Sequence, residues 1–428
     1  MIRNILHQLW NSRRQNGWIF LELIIVSYFL WLVIDPVYVL TANRMIPKGY
    51  DSKGVYALLI YEHEKNYVGY DTTSAAPEVR KNLYRQILRT VRQCPEIASY
   101  AIATWGSFPY SHTFNGNQFT VDTTNVPMQT YFYDATDGSS LPAVFRLQDV
   151  NTGQMLKTDP DCVAKHHFYI SELLAKKAYG TTQVVGKKYD MGMGWVGTIA
   201  GVFADFKQKD TEQPFPLAIF PGADEMNPDA LPWSYPIIFR LKDGVDARKF
   251  EARFKRDIVP KLSVGNFYFR SLRTLDELAK VNAESTGVNN KLRLQYALAG
   301  FALLCIFLGM MGTFWIRCEA RSMEIGLLRS FGATRKSICR RFLTEAWILV
   351  TAAFLITLPF VVHHVHEAGF ALPSEHPNPE YLQNQLVPHF LIVSVVTYIA
   401  LLVIALVGTY IPASRAARSL PAEALRDE

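Results

Sequence analysis

Charge is missing from two long stretches of this sequence. Residues Leu294–Ile316 and Phe390–Ile411 contain no Asp, Glu, Lys or Arg. A helix needs about 20 residues to cross the hydrocarbon of a bilayer, so both are long enough to span one. Charged residues make up only 19% of the 428-residue chain and hydrophobic residues 49%, which excludes a disordered, self-repelling polymer. Cysteine is scarce as well: five residues exclude a disulfide scaffold. Lys and Arg are absent from His363–His389. The net charge of +6 is therefore unevenly distributed along the chain, and that pattern suits membrane topology and not nucleic-acid binding.

Two further apolar runs accompany the uncharged ones. Ala346–Val362 is uncharged and is extended by Phe342 and Leu343, and Trp18–Leu40 is interrupted only by Glu22 and Asp35. Four such runs exclude a single buried core helix as the explanation. Basic residues cluster at Arg3, Arg13 and Arg14, at Arg317, Arg321, Arg329, Arg335, Lys336, Arg340 and Arg341, and at Arg415, Arg418 and Arg426. By the positive-inside rule both termini and the 317–341 loop are cytoplasmic, and residues 41–290 and 363–389 are outside. Trp18–Leu40 is long for a signal-peptide core and no A-x-A-like cleavage site follows it, so it reads as an uncleaved anchor. Ile2, Ile5, Leu6, Leu9 and Trp10 share one helical face beside Arg3, which predicts a helix lying on the inner leaflet. The Glu22 carboxylate is expected to reach back to the interface. Cys94 and Cys162 are both external and could pair in an oxidising compartment, a point that spacing leaves open.

The outside segment reads as mixed α/β. Strand-forming 54–63, helical 77–93 with Val79, Leu83, Ile87 and Val91 at helical spacing, and strand-forming 98–105 make one β-α-β unit. Residues 235–242, 245–262 and 266–272 repeat that order. Together they predict one split β-α-β plait with a β-rich insert, about 105–234, between its halves. Within the insert Ser171 is placed to cap a short helix that Gly180 ends.

Enzyme-like motifs in this segment lack their required context. Gly192, Gly194 and Gly197 satisfy G-x-G-x-x-G, but a strand-forming run follows where a dinucleotide site needs a helix. Gly180–Lys188 resembles a P-loop with one residue too many between its glycines, and with Lys where Ser or Thr must hold magnesium. His363, His364, His366 and Glu367 read as an interfacial cluster, with weak transition-metal capture as the alternative. No nucleophile–base set is apparent.

Residues 324–346, EIGLLRSFGATRKSICRRFLTEA, sit between two membrane-length runs. Ile325, Leu327, Leu328 and Phe331 give a short helix an apolar side. Gly332 supplies a turn at positive φ. Thr334 can cap a second helix running through Ile338 and Phe342 into the membrane. The expected result is a helix–turn–helix elbow suited to docking a partner.

This segment resembles the EIG…GA(S/T) element of the MacB/FtsX-type ABC transporter permeases. The tail 412–428, PASRAARSLPAEALRDE, resembles their EALR ending, and 170–190 with 198–210 resembles the close of their periplasmic domain. The resemblance implies a membrane α-helical fold with four transmembrane helices (1 + 3) and a large extracytoplasmic α/β domain. Its boundaries would be a cytoplasmic amphipathic helix 1–17, a first span 18–40, a periplasmic domain 41–290, a stalk and second span 291–317, a coupling elbow 318–342, a third span 343–363, a periplasmic loop 364–388, a fourth span 389–412 and a cytoplasmic tail 413–428. It further implies a mechanotransmitter in the bacterial inner membrane, with Glu324, Ile325, Gly326, Leu328, Arg329, Gly332, Ala333 and Thr334 contacting a separate cytoplasmic ABC ATPase. That partner would bind ATP and Mg, this chain holding no cofactor and catalysing nothing itself. Other implied partners are a second permease copy or paralogue, membrane lipid, and a periplasmic adaptor or substrate. Motion would pass outward along about 275–316. An FtsX-like regulator of a cell-wall hydrolase, a lipoprotein-release subunit and a membrane-anchored sensor are the alternative readings.

Overall fold

The computed structural model describes residues 13–104, 106–111, 113–156, 161–190, 196–222, 235–371 and 379–418. The expected amphipathic helix 1–17 lies outside this set except for its last five residues, and so do Gly192, Gly194 and the EALR ending. The chain divides into two compact units, residues 43–287 and the combination of 1–42 with 288–428.

The first unit is built on a single sheet. Strands β1 (Val55–Glu62), β2 (Ile97–Ala103), β9 (Ile237–Leu241) and β10 (Phe267–Thr274) lie in the order β10-β1-β9-β2, each antiparallel to its neighbour. Helix α2 (Pro77–Arg92) joins β1 to β2, and α5 (Ala247–Arg253) follows β9. This is the split plait expected from the sequence. Period-2 alternation sends Val55 and Ala57 of β1 to one face, and Tyr56, Leu58 and Ile60 to the other. The second face is covered by Tyr84, Ile87, Leu88 and Val91 of α2 and by Phe250 and Phe254. The buried stripe of α2 is thus rotated from the expected one, leaving Val79 exposed, because Tyr84 carries more apolar area into the core than Val79 can.

The insert does not form a separate layer. It contributes β3 (Gly116–Val121), β4 (Thr124–Asp134), the short helix α3 (Leu141–Val144), β5 (His167–Ser171), β6 (Lys188–Asp190), β7 (Val196–Phe203) and β8 (Leu217–Gly222). β4 pairs with β2, and the sheet continues β4-β8-β5-β7-β6, with β3 on β4. An edge strand exposes unpaired backbone groups. β2 avoids this by accepting the insert, and a shared core forms from Ala57, Ile238, Tyr131, Tyr169, Phe203 and Ile219. Ser171 caps α4 (Glu172–Tyr179), accepting from the Leu174 N–H at 3.3 Å, and Gly180 ends it at φ 72°. Cys94 and Cys162 are both buried and no disulfide joins them. The Cys94 Sγ instead faces the Thr90 carbonyl of its own helix at 3.7 Å.

A buried lysine organises the beginning of this unit. Lys207 is 1% exposed, and its Nζ donates to the carbonyls of Asn43 (2.7 Å), Ile46 (3.2 Å) and Asp210 (3.0 Å). Asn43 returns a bond from its Nδ2 to the Thr211 carbonyl at 2.9 Å. Gly49 lies against the same loop at φ 79°, and a Cβ there would fall 1.8 Å from the Asp205 carbonyl oxygen, so no other residue fits. Burial lowers the Lys207 pKa to about 8, leaving it charged at neutral pH.

Among the described residues, the second unit contains four helices long and apolar enough to cross a membrane: α1 (Arg13–Met45), α7 (Val288–Ala320), α9 (Arg335–Ala368) and α10 (Pro379–Ala416). Ile19, Leu23, Ile306, Met310, Phe314, Phe342, Val350 and Leu401 belong to one core between them. Glu22 is half-buried. It packs on Gly309 of α7, where a Cβ would lie 2.5 Å from its Oε1, so the glycine opens the space its carboxylate occupies. Asp35, which is buried, lies 2.6 Å from His389 Nε2 and accepts from the Ala371 N–H at 2.7 Å. His364 Nδ1 sits 3.2 Å from the Tyr28 hydroxyl, and among the described residues no set of three His, Cys, Asp or Glu is placed to hold a metal. The outward path expected along 275–316 comprises two helices. α6 (Leu275–Ser285) stops at Thr286–Gly287 before α7 begins.

Candidate coupling site

Between α7 and α9 lies the short helix α8 (Ser322–Ser330). Every residue of the sequence Gly332-Ala333-Thr334 has a distinct part in the corner that follows it. Gly332 takes φ 89° and its N–H bonds to the Arg329 carbonyl at 3.0 Å. The Ala333 N–H bonds to the Leu328 carbonyl at 3.0 Å. This pair of bonds is a Schellman motif, with glycine at its left-handed position. Thr334 is then the N-cap of α9, its hydroxyl accepting from the Ser337 N–H at 3.2 Å. One helix is closed and the next opened with no residue to spare.

The other end of α8 is fastened by charge. Arg321, at the α7–α8 corner, places Nη1 3.0 Å from Glu345 Oε1, and Arg317 Nη1 is 3.9 Å from the same carboxylate. Glu345 is fully buried on α9. Glu324, in the first turn of α8, pairs with Arg341 at 3.0 Å. Arg321 and Glu324 are three residues apart and Arg341 and Glu345 four apart, so each pair shares a helix face. The two faces oppose each other with alternating sign.

The expected apolar side of α8 is divided by this packing. Ile325 is 3% exposed and belongs to the helix core with Phe314 and Phe342. Gly326 is also buried, and Leu328 and Ala333 are half-buried at the corner. Met323, Leu327 and Phe331 are the exposed apolar residues, 59%, 53% and 82% exposed, and their spacing of four puts them on one stripe. Arg335, Lys336 and Arg340 stand exposed on the adjoining turns of α9, with Arg329 half-buried and engaged. Of the eight residues transferred by resemblance, Ile325 and Gly326 thus face the chain's own core, while Glu324, Gly332, Ala333 and Thr334 shape the elbow. Met323 was not singled out in the sequence, and its four-residue spacing to Leu327 was the available signal. Glu345, just ahead of the uncharged run that begins at Ala346, carries no such signal.

Comparison with known proteins identifies the region that contains this elbow. Residues 296–421 match the family model described as FtsX-like permease C-terminal. A search of characterised proteins gave no significant match. Among solved structures, the periplasmic region of MacB from Actinobacillus actinomycetemcomitans aligns at 11% identity and a TM-score of 0.33, covering 54% of this chain and 94% of that one. The extracellular domain of the noncanonic ABC-type transporter YknZ from Gram-positive bacteria aligns at 11% identity and a TM-score of 0.32, covering 50% of this chain and 100% of that one. Residues 296–421, which hold the elbow and long apolar helices on either side of it, are thus similar to the C-terminal domain of FtsX-like permeases.

Proposed function

We propose that the chain is the transmembrane subunit of a transporter in which a separate ATPase drives conformational change outside the cytoplasm. The observation that carries this reading is the elbow: a stiff corner, fastened at both ends, that presents Met323, Leu327 and Phe331 in a matched permease domain. Force entering at such a corner passes directly into α9, because Gly332 and Thr334 leave no slack between the helices. ATP and Mg belong to the partner. The permease supplies the docking face and the lever, and two permease copies, or this chain with a paralogue, would seat two ATPases. Substrate is then exported, or released on the outer side, by residues 43–287. The test is co-expression with an ATPase carrying Walker motifs encoded beside this gene. The two are expected to co-purify and the permease to alter the hydrolysis rate. Absence of any complex with such an ATPase would sink the reading.

The accompanying topology places the elbow inside and residues 43–287 outside. In a background without native cysteines, Cys at Ala368, in the segment poor in basic residues, is expected to react with an impermeant thiol reagent added to intact cells. Cys at exposed Ser330 is expected to react only after permeabilisation. Labelling of position 330 from outside would refute the orientation.

A further inference from the structure

We propose that the buried Glu345 carboxylate, held by Arg321 and Arg317, is a positioning clasp that makes α7 move with the elbow. This rests on the reading of the elbow as the point where an ATPase pushes. α8 is continuous with α9 only through the Gly332–Thr334 corner, which directs force into α9. α7 is the helix that leads back toward residues 43–287, and something must tie it to that movement. Glu345 is fully buried on α9, while both of its cationic partners come from the α7 side, Arg317 within α7 and Arg321 at its corner with α8. Arg317 is itself seated over the Phe314 ring at 4.9 Å, so its side chain is not a free arm. Burial explains why the pair can resist force. An exposed ion pair exchanges with water and is worth little. Parting a buried one leaves charges without solvent. The Glu324–Arg341 pair, with Glu324 42% exposed, lacks that property and serves to set the angle of α8.

A buried ion pair is weak ground for a stability role, since apolar residues of similar volume often replace such a pair at no loss. That separates positioning from packing. The variants are Glu345→Gln, and Arg321→Met combined with Glu345→Met, each made in the full chain in nanodiscs with its five native cysteines replaced. Spin labels at Ala320 and Ser337, both exposed, report the α7–α9 distance without any ATPase. Wild type is expected to give a narrow distribution, and both variants a broader one. A third label at Tyr296, exposed on the far half of α7, reports the response to ATP in the complex. Both variants are expected to fold, bind the ATPase and hydrolyse ATP, while the ATP-induced change at position 296 falls at least about tenfold. Unchanged α7–α9 distances in both variants would overturn the clasp. So would a full response at position 296 in the double-Met variant, which would make the pair a packing element. A wild-type chain that binds no ATPase overturns the underlying reading instead, and the ATPase-free distances tell these failures apart.

Discussion

A Leu327→Asp or Phe331→Asp variant is expected to be present in the membrane at the wild-type level and absent from the complex with its ATPase. Both side chains are more than half exposed and lie on the outer stripe of α8, so neither change disturbs the packing of the chain itself. A carboxylate placed in a docked apolar interface has no partner there. Burying such an unpaired charge costs several kcal/mol, roughly a hundredfold or more in affinity. Leu328→Asp is a poorer probe, because Leu328 is half-buried and its carbonyl closes the Schellman turn. Gly332→Val complements the pair: it leaves the stripe untouched and strains the corner at φ 89°, where a β-branched residue is disfavoured. It is expected to bind the ATPase with reduced coupling. Normal co-purification of both aspartate variants would show that the stripe is not the docking face.

Lys207→Met should destabilise the unit of residues 43–287 severely while leaving the helices of the other unit intact. The substitution keeps the length of the stem and removes the three donated bonds to Asn43, Ile46 and Asp210. The buried carbonyls left unsatisfied are expected to cost about 3 kcal/mol, or about 6–12 °C in melting temperature for a unit of this size. Thermal unfolding of a fragment spanning residues 43–287 measures this directly. A fragment starting at residue 48 lacks two of the three acceptors and should melt lower for the same reason. The pH dependence has a definite sign. Burial holds the Lys207 pKa at about 8 in the folded protein, against 10.5 ordinarily. Between those values the unfolded chain binds more protons than the folded one, so the contribution of this residue to stability rises with pH. The advantage of wild type over Lys207→Met is therefore expected to widen from pH 8 to 10.5. Melting temperatures that coincide throughout would show that the three bonds contribute nothing.

The sequence by itself determined the class of this protein. Four apolar runs were legible because crossing hydrocarbon demands length and freedom from charge, both local properties. The plait was legible because its strands and helices follow one another twice in the same order. The corner at Gly332-Ala333-Thr334 was legible because left-handed turns and helix caps are satisfied by neighbours within five residues. What only tertiary structure decided depends on contacts between distant segments. Nothing near Glu345 in sequence shows that Arg321 and Arg317 reach it, or that Glu22 occupies the gap left by Gly309. Lys207 reads as one more surface lysine until the carbonyls of Asn43 and Ile46 close around it. Periodicity placed Ile325 and Leu327 on one apolar side, yet the core took Ile325 and left Leu327 outside. Helical spacing fixes which residues share a face, and only the neighbouring helices fix which part of that face is buried.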